Sequence, residues 1–157
     1  MKLAPSADGG LHIEVEDKSD WQLLLGILRD AQDSGIDLAT RVGGAMDQAA
    51  DWHDWEEFVI PDIRASFLAD LKTVLIAIES ARLEAAGGAG NVWITGEDAF
   101  HWYSALNQAR LALEAIHHFG PGESVNPNQL SQTGLAAFIR SHFYCAFQSI
   151  LLDLGLG

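Results

Sequence analysis

The sequence predicts an all-α protein, a compact bundle of four to five main helices with a minor two-stranded antiparallel sheet. Apolar residues recur at helical spacing over several long segments, and capping patterns or glycines stand at most ends of those segments. Two short stretches, at about 11–16 and 91–95, instead alternate between apolar and polar residues as half-exposed strands do. The chain has 157 residues, which suits a single helical domain over 1–157, with 1–10 as a loose leader.

The first strand and the first helix follow the leader directly. In GLHIEVED, the apolar residues Leu11, Ile13 and Val15 share one face of the predicted strand. The helix is expected to open at Ser19, with Gln22 three residues later as a capping box, and to end before Gly35.

The middle of the chain predicts weaker and then stronger helical structure. DLATRVGGAMDQAAD is weakly helical, and we expect a kink or a break at Gly43-Gly44 because glycine pairs destabilise a helix. DWHDWEEFVI predicts a short amphipathic helix up to Pro61, and a long helix follows to about Ala86. The second strand lies in NVWIT. Because a lone strand leaves its backbone groups unpaired, we expect it to pair with the first strand.

Two further helices complete the predicted bundle. One begins at Thr95, where Asp98 three residues later repeats the capping-box pattern, and it stops at Gly120-Pro121. The last helix runs from about Thr133 to Leu154. It is apolar on nearly every side, so we expect it to lie at the centre of the bundle.

Charge and composition narrow the class of function. Nine Lys and Arg stand against 22 Asp and Glu, a formal net charge of −13, and the cations occur singly. Nucleic acids and anionic membranes are bound through clustered cations, so we expect neither as a partner. The single cysteine, Cys145, fits a reducing compartment, and we expect a cytoplasmic protein whose partner is another protein. A homodimer is left open.

Metal ligation is the sharpest chemical alternative. Glu114 and His117 have the i, i+3 spacing that supplies two ligands to di-iron bundles, but such a site needs the motif twice. The partial second copy, Asp98 with His101, lies 16 residues earlier on the same helix, about 24 Å away, so the two pairs cannot share an ion. Histidines in a last helical turn also suit the helix dipole. We therefore expect no metal, cofactor or catalytic residues, with Glu114 and His117 as the remaining metal candidates.

His142 and Cys145, also three residues apart, offer a second pairing. Zinc usually takes three or four protein ligands, and the chain has no second cysteine. A reactive thiolate would want an accessible, electropositive site, so a buried thiol and a core histidine are the more economical interpretation.

Four polar residues predict a network between helices. Asn107, Arg110 and Glu114 form a stripe beside the apolar face of their helix, and Gln148 stands among apolar neighbours on the last helix. A buried polar side chain needs a partner, so we expect these groups to tie the helices together. A ligand pocket lined by the same groups is the alternative.

The segment DWHDWEEF predicts a candidate partner surface at Trp52, Trp55 and Glu56. An amphipathic helix whose aromatics enter the core, with its acids solvated, is the favoured interpretation of the pattern. Because tryptophan is enriched at interface hot spots, an aromatic and acidic surface presented to a partner stays open.

The segment ITGEDAFHWYSALNQARLAL resembles the signature of an uncharacterised bacterial family, a domain of unknown function. The resemblance lies in Asp98-Ala99, Trp102, Leu106-Asn107 and Arg110-Leu111, and in FYCAFQSILLDL with Gln148. The segment AMDQAADWHDWEEFVIPD departs from the actinobacterial pattern.

The resemblance implies a functional context but no catalytic residues. In actinobacteria such genes often neighbour that of the Clp-protease adaptor, and some members are labelled transcriptional regulators, which the charge of this chain contradicts. We therefore expect an acidic, non-enzymatic interaction or regulatory protein, linked to regulated proteolysis. The alternative is a helical bundle that binds a metal or a small molecule.

Overall fold

The computed structural model describes residues 1–32, 37–46, 55–121 and 124–155, and at 43–46, 55 and 56 the backbone alone. These residues form a mainly α protein with a small three-stranded antiparallel sheet. In chain order the elements are β1 (Lys2–Pro5), β2 (Leu11–Val15), α1 (Lys18–Gln32), α2 (Leu38–Met46), a π-helical turn (Trp55–Val59), α3 (Ile60–Glu84), β3 (Gly90–Ile94), α4 (Ala99–His117), a 3₁₀ turn (Pro127–Gln129) and α5 (Gln132–Asp153).

The sheet has three strands in the order β1-β2-β3, with antiparallel neighbours. The predicted pairing of the stretches at 11–16 and 91–95 is confirmed, with Ile13 opposite Val92. The expectation of only two strands, and of a loose leader over 1–10, is wrong, because Lys2–Pro5 pairs with β2 as well. A turn makes this possible: Gly9 has a φ of 85°, and the Ser6 amide donates to the Gly10 carbonyl at 2.9 Å.

The bounds of α1 and α2 differ from those that the sequence predicts. The Asp17 carboxylate accepts from the Ser19 amide at 2.7 Å and from the Asp20 amide at 3.3 Å, so α1 starts at an Asp17 cap and not at Ser19. We expected a kink or a break at Gly43-Gly44, and the break is wrong, because α2 continues through both glycines to Met46.

The long helix α3 follows a π-helical turn. The short amphipathic helix expected over DWHDWEEFVI is described only from Trp55, where a π-helical turn leads into α3 without a separate helix. Pro61 lies in the first turn of α3, where its missing amide hydrogen leaves no helix bond unmade.

The centre of the bundle is α4, and the expectation that the last helix lies there is wrong. Helix α4 packs against α1, α3 and α5, and it buries Trp102 and Leu106. Its alanines Ala105, Ala109 and Ala112 are fully buried, and small side chains let several neighbours approach one helix closely. Helix α5 packs mainly on α4 along one side. An apolar composition around α5 predicted burial, but α5 leaves an outer face uncovered.

Candidate functional site

Polar contacts join α5 to α4, the helix that carries the family resemblance. Arg110 Nη1 donates to Gln148 Oε1 at 2.5 Å, and Gln148 Nε2 donates to the Tyr103 carbonyl at 3.2 Å. Gln148 is only 3% exposed, so both of its bonds satisfy a buried amide. Of the four residues expected to form a network, Arg110 and Gln148 are therefore in direct contact.

The other two residues of the expected network lie apart from that contact. Glu114 Oε1 accepts from the Gly120 amide at 3.0 Å, so this carboxylate holds the chain just after α4 ends. At this point His118 has a φ of 51°, and its amide donates to the Glu114 carbonyl. Asn107 is exposed at the edge of a groove.

The groove lies between α4 and α5 and has a volume of about 470 Å³. Within the described residues, Arg110 Nε is buried and has no hydrogen-bond acceptor, which is a costly state for a donor. The groove therefore combines a cation, hydroxyl and imidazole groups with aromatic walls. Its polar and aromatic lining includes Asn107, Arg110, Glu114, Phe119, Phe138, Ser141 and His142.

The metal candidates Glu114 and His117 have protein contacts of their own. Glu114 accepts from the Gly120 amide, and the His117 ring stacks on Phe119 at a centroid distance of 5.2 Å. In the ranges that the structure describes, no three His, Cys, Asp or Glu side chains converge as a metal site requires. His142 and Cys145 are both exposed at the groove, so the expectation of a core histidine and a buried thiol is wrong.

A buried acidic centre links α1 to α5. Asp30, 6% exposed, accepts from Arg140 Nε at 2.7 Å and Nη2 at 3.0 Å, and from Tyr144 Oη at 2.7 Å. Burial, together with the hydrogen bond to Asp30, raises the pKa of the Tyr144 phenol. The bond to Asp30 also raises the pKa of Arg140.

A second buried acid, Asp70, links α3 to α4. Asp70 is 3% exposed, and its two oxygens contact His101 Nδ1 at 2.7 Å and the Ser104 hydroxyl. Gln108 Nε2 donates to the Phe67 carbonyl at 3.2 Å nearby. A nucleophilic triad needs serine bonded to histidine and histidine to the acid, whereas here both donors meet the acid. The geometry fits a structural link between helices.

Sequence reasoning missed both acidic centres. Asp30 follows Ile27 by three residues, and Asp70 precedes Val74 by four, so each acid shares a helix face with buried apolar residues. An acid within an apolar stripe was therefore the available signal. The partners of these acids lie up to 114 residues away in sequence, and only the fold shows which they are.

Helix α3 carries an exposed apolar surface. Leu68, Leu75, Ile76 and Leu83, which we call the α3 stripe, are 57%, 40%, 55% and 77% exposed. Leu68 and Leu75 are seven residues apart, as are Ile76 and Leu83, so the two pairs form neighbouring rows on one side of the helix over about 22 Å. Leu71, four residues before Leu75, is buried at 5% exposure and lies on the inward side of the helix.

Helix α5 carries a second uncovered surface. Ala136, Ile139, Phe143, Ala146 and Ile150, which we call the α5 seam, recur at alternating intervals of three and four residues. Ile139 is 59% exposed, both alanines are exposed, and Phe143 and Ile150 are half-buried. Among the described helices, α5 is long and apolar enough to cross a membrane, with a mean hydropathy of 1.3 over 18 residues, but a core helix passes the same test.

The candidate partner surface at Trp52, Trp55 and Glu56 lies outside the described side chains. Trp52 falls within an undescribed range, and at Trp55 and Glu56 only the backbone is described, as part of the π-helical turn. This surface stays a prediction.

In the part of the chain that the structure describes, the fold and its contacts define a mainly α protein whose buried polar groups join helices and whose exposed features include two apolar surfaces and a groove. A family model described as a domain of unknown function (DUF2017) matches residues 39–153, and the chain belongs to this family. The match includes α3, α4 and α5, and so both apolar surfaces and the groove. No curated protein and no solved structure matches the chain.

Proposed function

We propose that this protein acts by binding another protein through the α3 stripe, as a non-enzymatic regulatory or interaction protein of the bacterial cytoplasm. The observation that carries the proposal is the exposure of the four side chains of the stripe, which include Leu83 at 77% and Leu68 at 57%. Scattered exposed leucines are ordinary, but four apolar side chains on one side of one helix, with Lys72 and Glu79 between them, form an apolar surface that a partner can cover. A partner that covers them removes that apolar area from water.

The surroundings of the α3 stripe suit an unlike partner. Lys72 and Glu79 lie on the same side of the helix, between the apolar residues, and both are partly or fully exposed. Charged groups within an interface select and orient a partner more than they add affinity. Because the whole chain has a net charge of −13, a partner with an apolar centre and a basic rim would associate fastest.

Regulated proteolysis is the cellular context that we propose for this interaction. The support is the resemblance to a bacterial family whose genes in actinobacteria often neighbour that of the Clp-protease adaptor. That adaptor and its chaperone are therefore the first candidates for the partner. An acidic protein with an exposed apolar helix has the properties of a component that recruits or restrains such an adaptor.

A matched pair of variants tests the proposal by affinity capture. Ile76→Asp places a charge at the centre of the α3 stripe, whereas Ser66→Asp adds the same charge to another exposed side of α3. We expect captured partners to be retained by Ser66→Asp and lost by Ile76→Asp, with both variants as stable as the parent. Capture that is equal for the two variants would place the binding surface elsewhere.

Small-molecule binding in the groove between α4 and α5 is the second candidate function. The buried Arg110 Nε, which has no acceptor within the described residues, favours it, since a ligand carboxylate or phosphate could accept from the guanidinium. Metal binding by Glu114 and His117 is the other part of this alternative function. Metal analysis of untagged protein tests it: a stoichiometric metal that disappears in Glu114→Ala or His117→Ala would support metal binding and contradict the purely protein-binding account.

A further inference from the structure

The α5 seam differs from the α3 stripe in charge. From Gln132 to Asp153, α5 carries two charged residues, Arg140 and Asp153. Arg140 is bound to Asp30, and Asp153 is the last residue of the helix. The surface formed by Ala136, Ile139, Phe143, Ala146 and Ile150 is therefore free of charge over its whole length.

A charge-free surface on a strongly acidic chain restricts its occupant. With a net charge of −13, two copies of the chain repel each other wherever acids meet. An uncharged surface is where a second copy can approach without bringing like charges into contact. An anionic membrane gains nothing from such a surface, because the rest of the chain repels it.

The spacing of the seam is the spacing of a helix that pairs with another helix. Intervals of three and four residues place side chains along the line on which two helices pack. The seam also suits a two-fold contact between identical helices. If the axis passes between Phe143 and Ala146, each Phe143 meets an Ala146 of the second copy and each Ile139 meets an Ile150. Large side chains then face small ones at the centre.

We propose that the α5 seam is the contact between two copies of this chain, which form an antiparallel, two-fold homodimer through α5. The half-buried Phe143 and Ile150 rest on the core at their inner edges, so the seam is held by the fold before a partner arrives. The dimer leaves the α3 stripe available, because α3 and α5 pack on α4 through separate contacts. This inference is independent of the proposed function.

Sedimentation equilibrium of the full chain tests the dimer. The parent chain, 17.0 kDa as a monomer, is expected to sediment at twice that mass. Ile139→Asp places a charge in the seam, which should lower the association constant by roughly a hundredfold or more. Leu152→Asp makes the same type of change at a position that is 49% exposed on α5 but outside the seam, and should remain dimeric.

A second variant controls for loss of folding, and added salt tests the role of charge repulsion between the two copies. Ala146→Arg extends from an exposed position, so the chain keeps its fold while the seam is blocked, and a monomer is expected. Added salt should strengthen the parent dimer by screening repulsion between the two acidic copies. A parent chain that is monomeric throughout its soluble range, or Ala146→Arg that stays dimeric, would overturn the proposal. So would a monomer that instead binds zwitterionic vesicles through α5.

Discussion

Removing the Asp30 carboxylate should destabilise the protein more than loss of any exposed acid. Asp30 is 6% exposed and accepts three hydrogen bonds, two from Arg140 and one from Tyr144. Asp30→Ala leaves a half-buried guanidinium without its anion and a buried phenol without an acceptor. Breaking a buried ion pair costs about 3–5 kcal/mol, and the 25% exposure of the Arg140 side chain places the expected loss near the lower end, about 3 kcal/mol.

Urea unfolding followed by circular dichroism measures this loss directly. The matched control is Glu97→Gln, which changes an exposed acid in the turn before α4 and should alter the free energy of unfolding by less than about 0.5 kcal/mol. In the double variant with Arg140→Met, the two losses should not add, because each single change already breaks the same contact. A midpoint for Asp30→Ala equal to that of the control would refute the account of α5 as a helix held to α1 by this centre.

Three further perturbations test other parts of the fold by the same unfolding measurement. Arg110→Met should lower the free energy of unfolding by about 1–3 kcal/mol, because Gln148 loses a buried partner, whereas an unchanged midpoint would favour a ligand-facing Arg110. Because burial raises the pKa of Tyr144 above 10.0, the unfolded chain ionises first, and stability should fall as pH rises above that value. Tyr144→Phe should remove up to about 1.4 kcal/mol per pH unit of this decline, and Tyr103→Phe should retain it. Gly10→Ala should cost about 1–3 kcal/mol, because a β-carbon there would overlap the Ile94 carbonyl of the neighbouring strand; a neutral effect would contradict the described turn.

Local patterns predicted most of the fold. The periodicity of α3, α4 and α5 gave their bounds to within a few residues, and alternation located β2 and β3 and their pairing. The strand at Lys2–Pro5 was missed because it depends on β2 for its hydrogen bonds and on Gly9 and Gly10 for its turn. Its four residues carry little alternation of their own.

The apolar composition of the helices did not predict which helix lies at the centre of the bundle. Helix α5 has apolar residues on nearly all sides, and this composition is the same whether those sides meet a core or another protein. The small residues of α4 proved to be the better indicator of the centre, since Ala105, Ala109 and Ala112 are all fully buried.

The contacts of the candidate site residues were also predictable only in part. Arg110 and Gln148 stood out as polar residues beside apolar faces, and they are hydrogen-bonded across two helices. The partner of Glu114 is the backbone of Gly120, which follows the end of the same helix, and no side-chain pattern indicates a backbone donor. Asp30 and Asp70 were overlooked because their importance depends on distant partners that the fold alone brings to them.

Partner binding through α3 is tested by quantitative affinity capture from the native cell with the parent chain, Ile76→Asp and Ser66→Asp. We expect at least one stoichiometric protein partner, present with the parent and with Ser66→Asp and lost with Ile76→Asp, while all three chains unfold at the same urea concentration. Equal recovery of every partner by Ile76→Asp and the parent chain would contradict it.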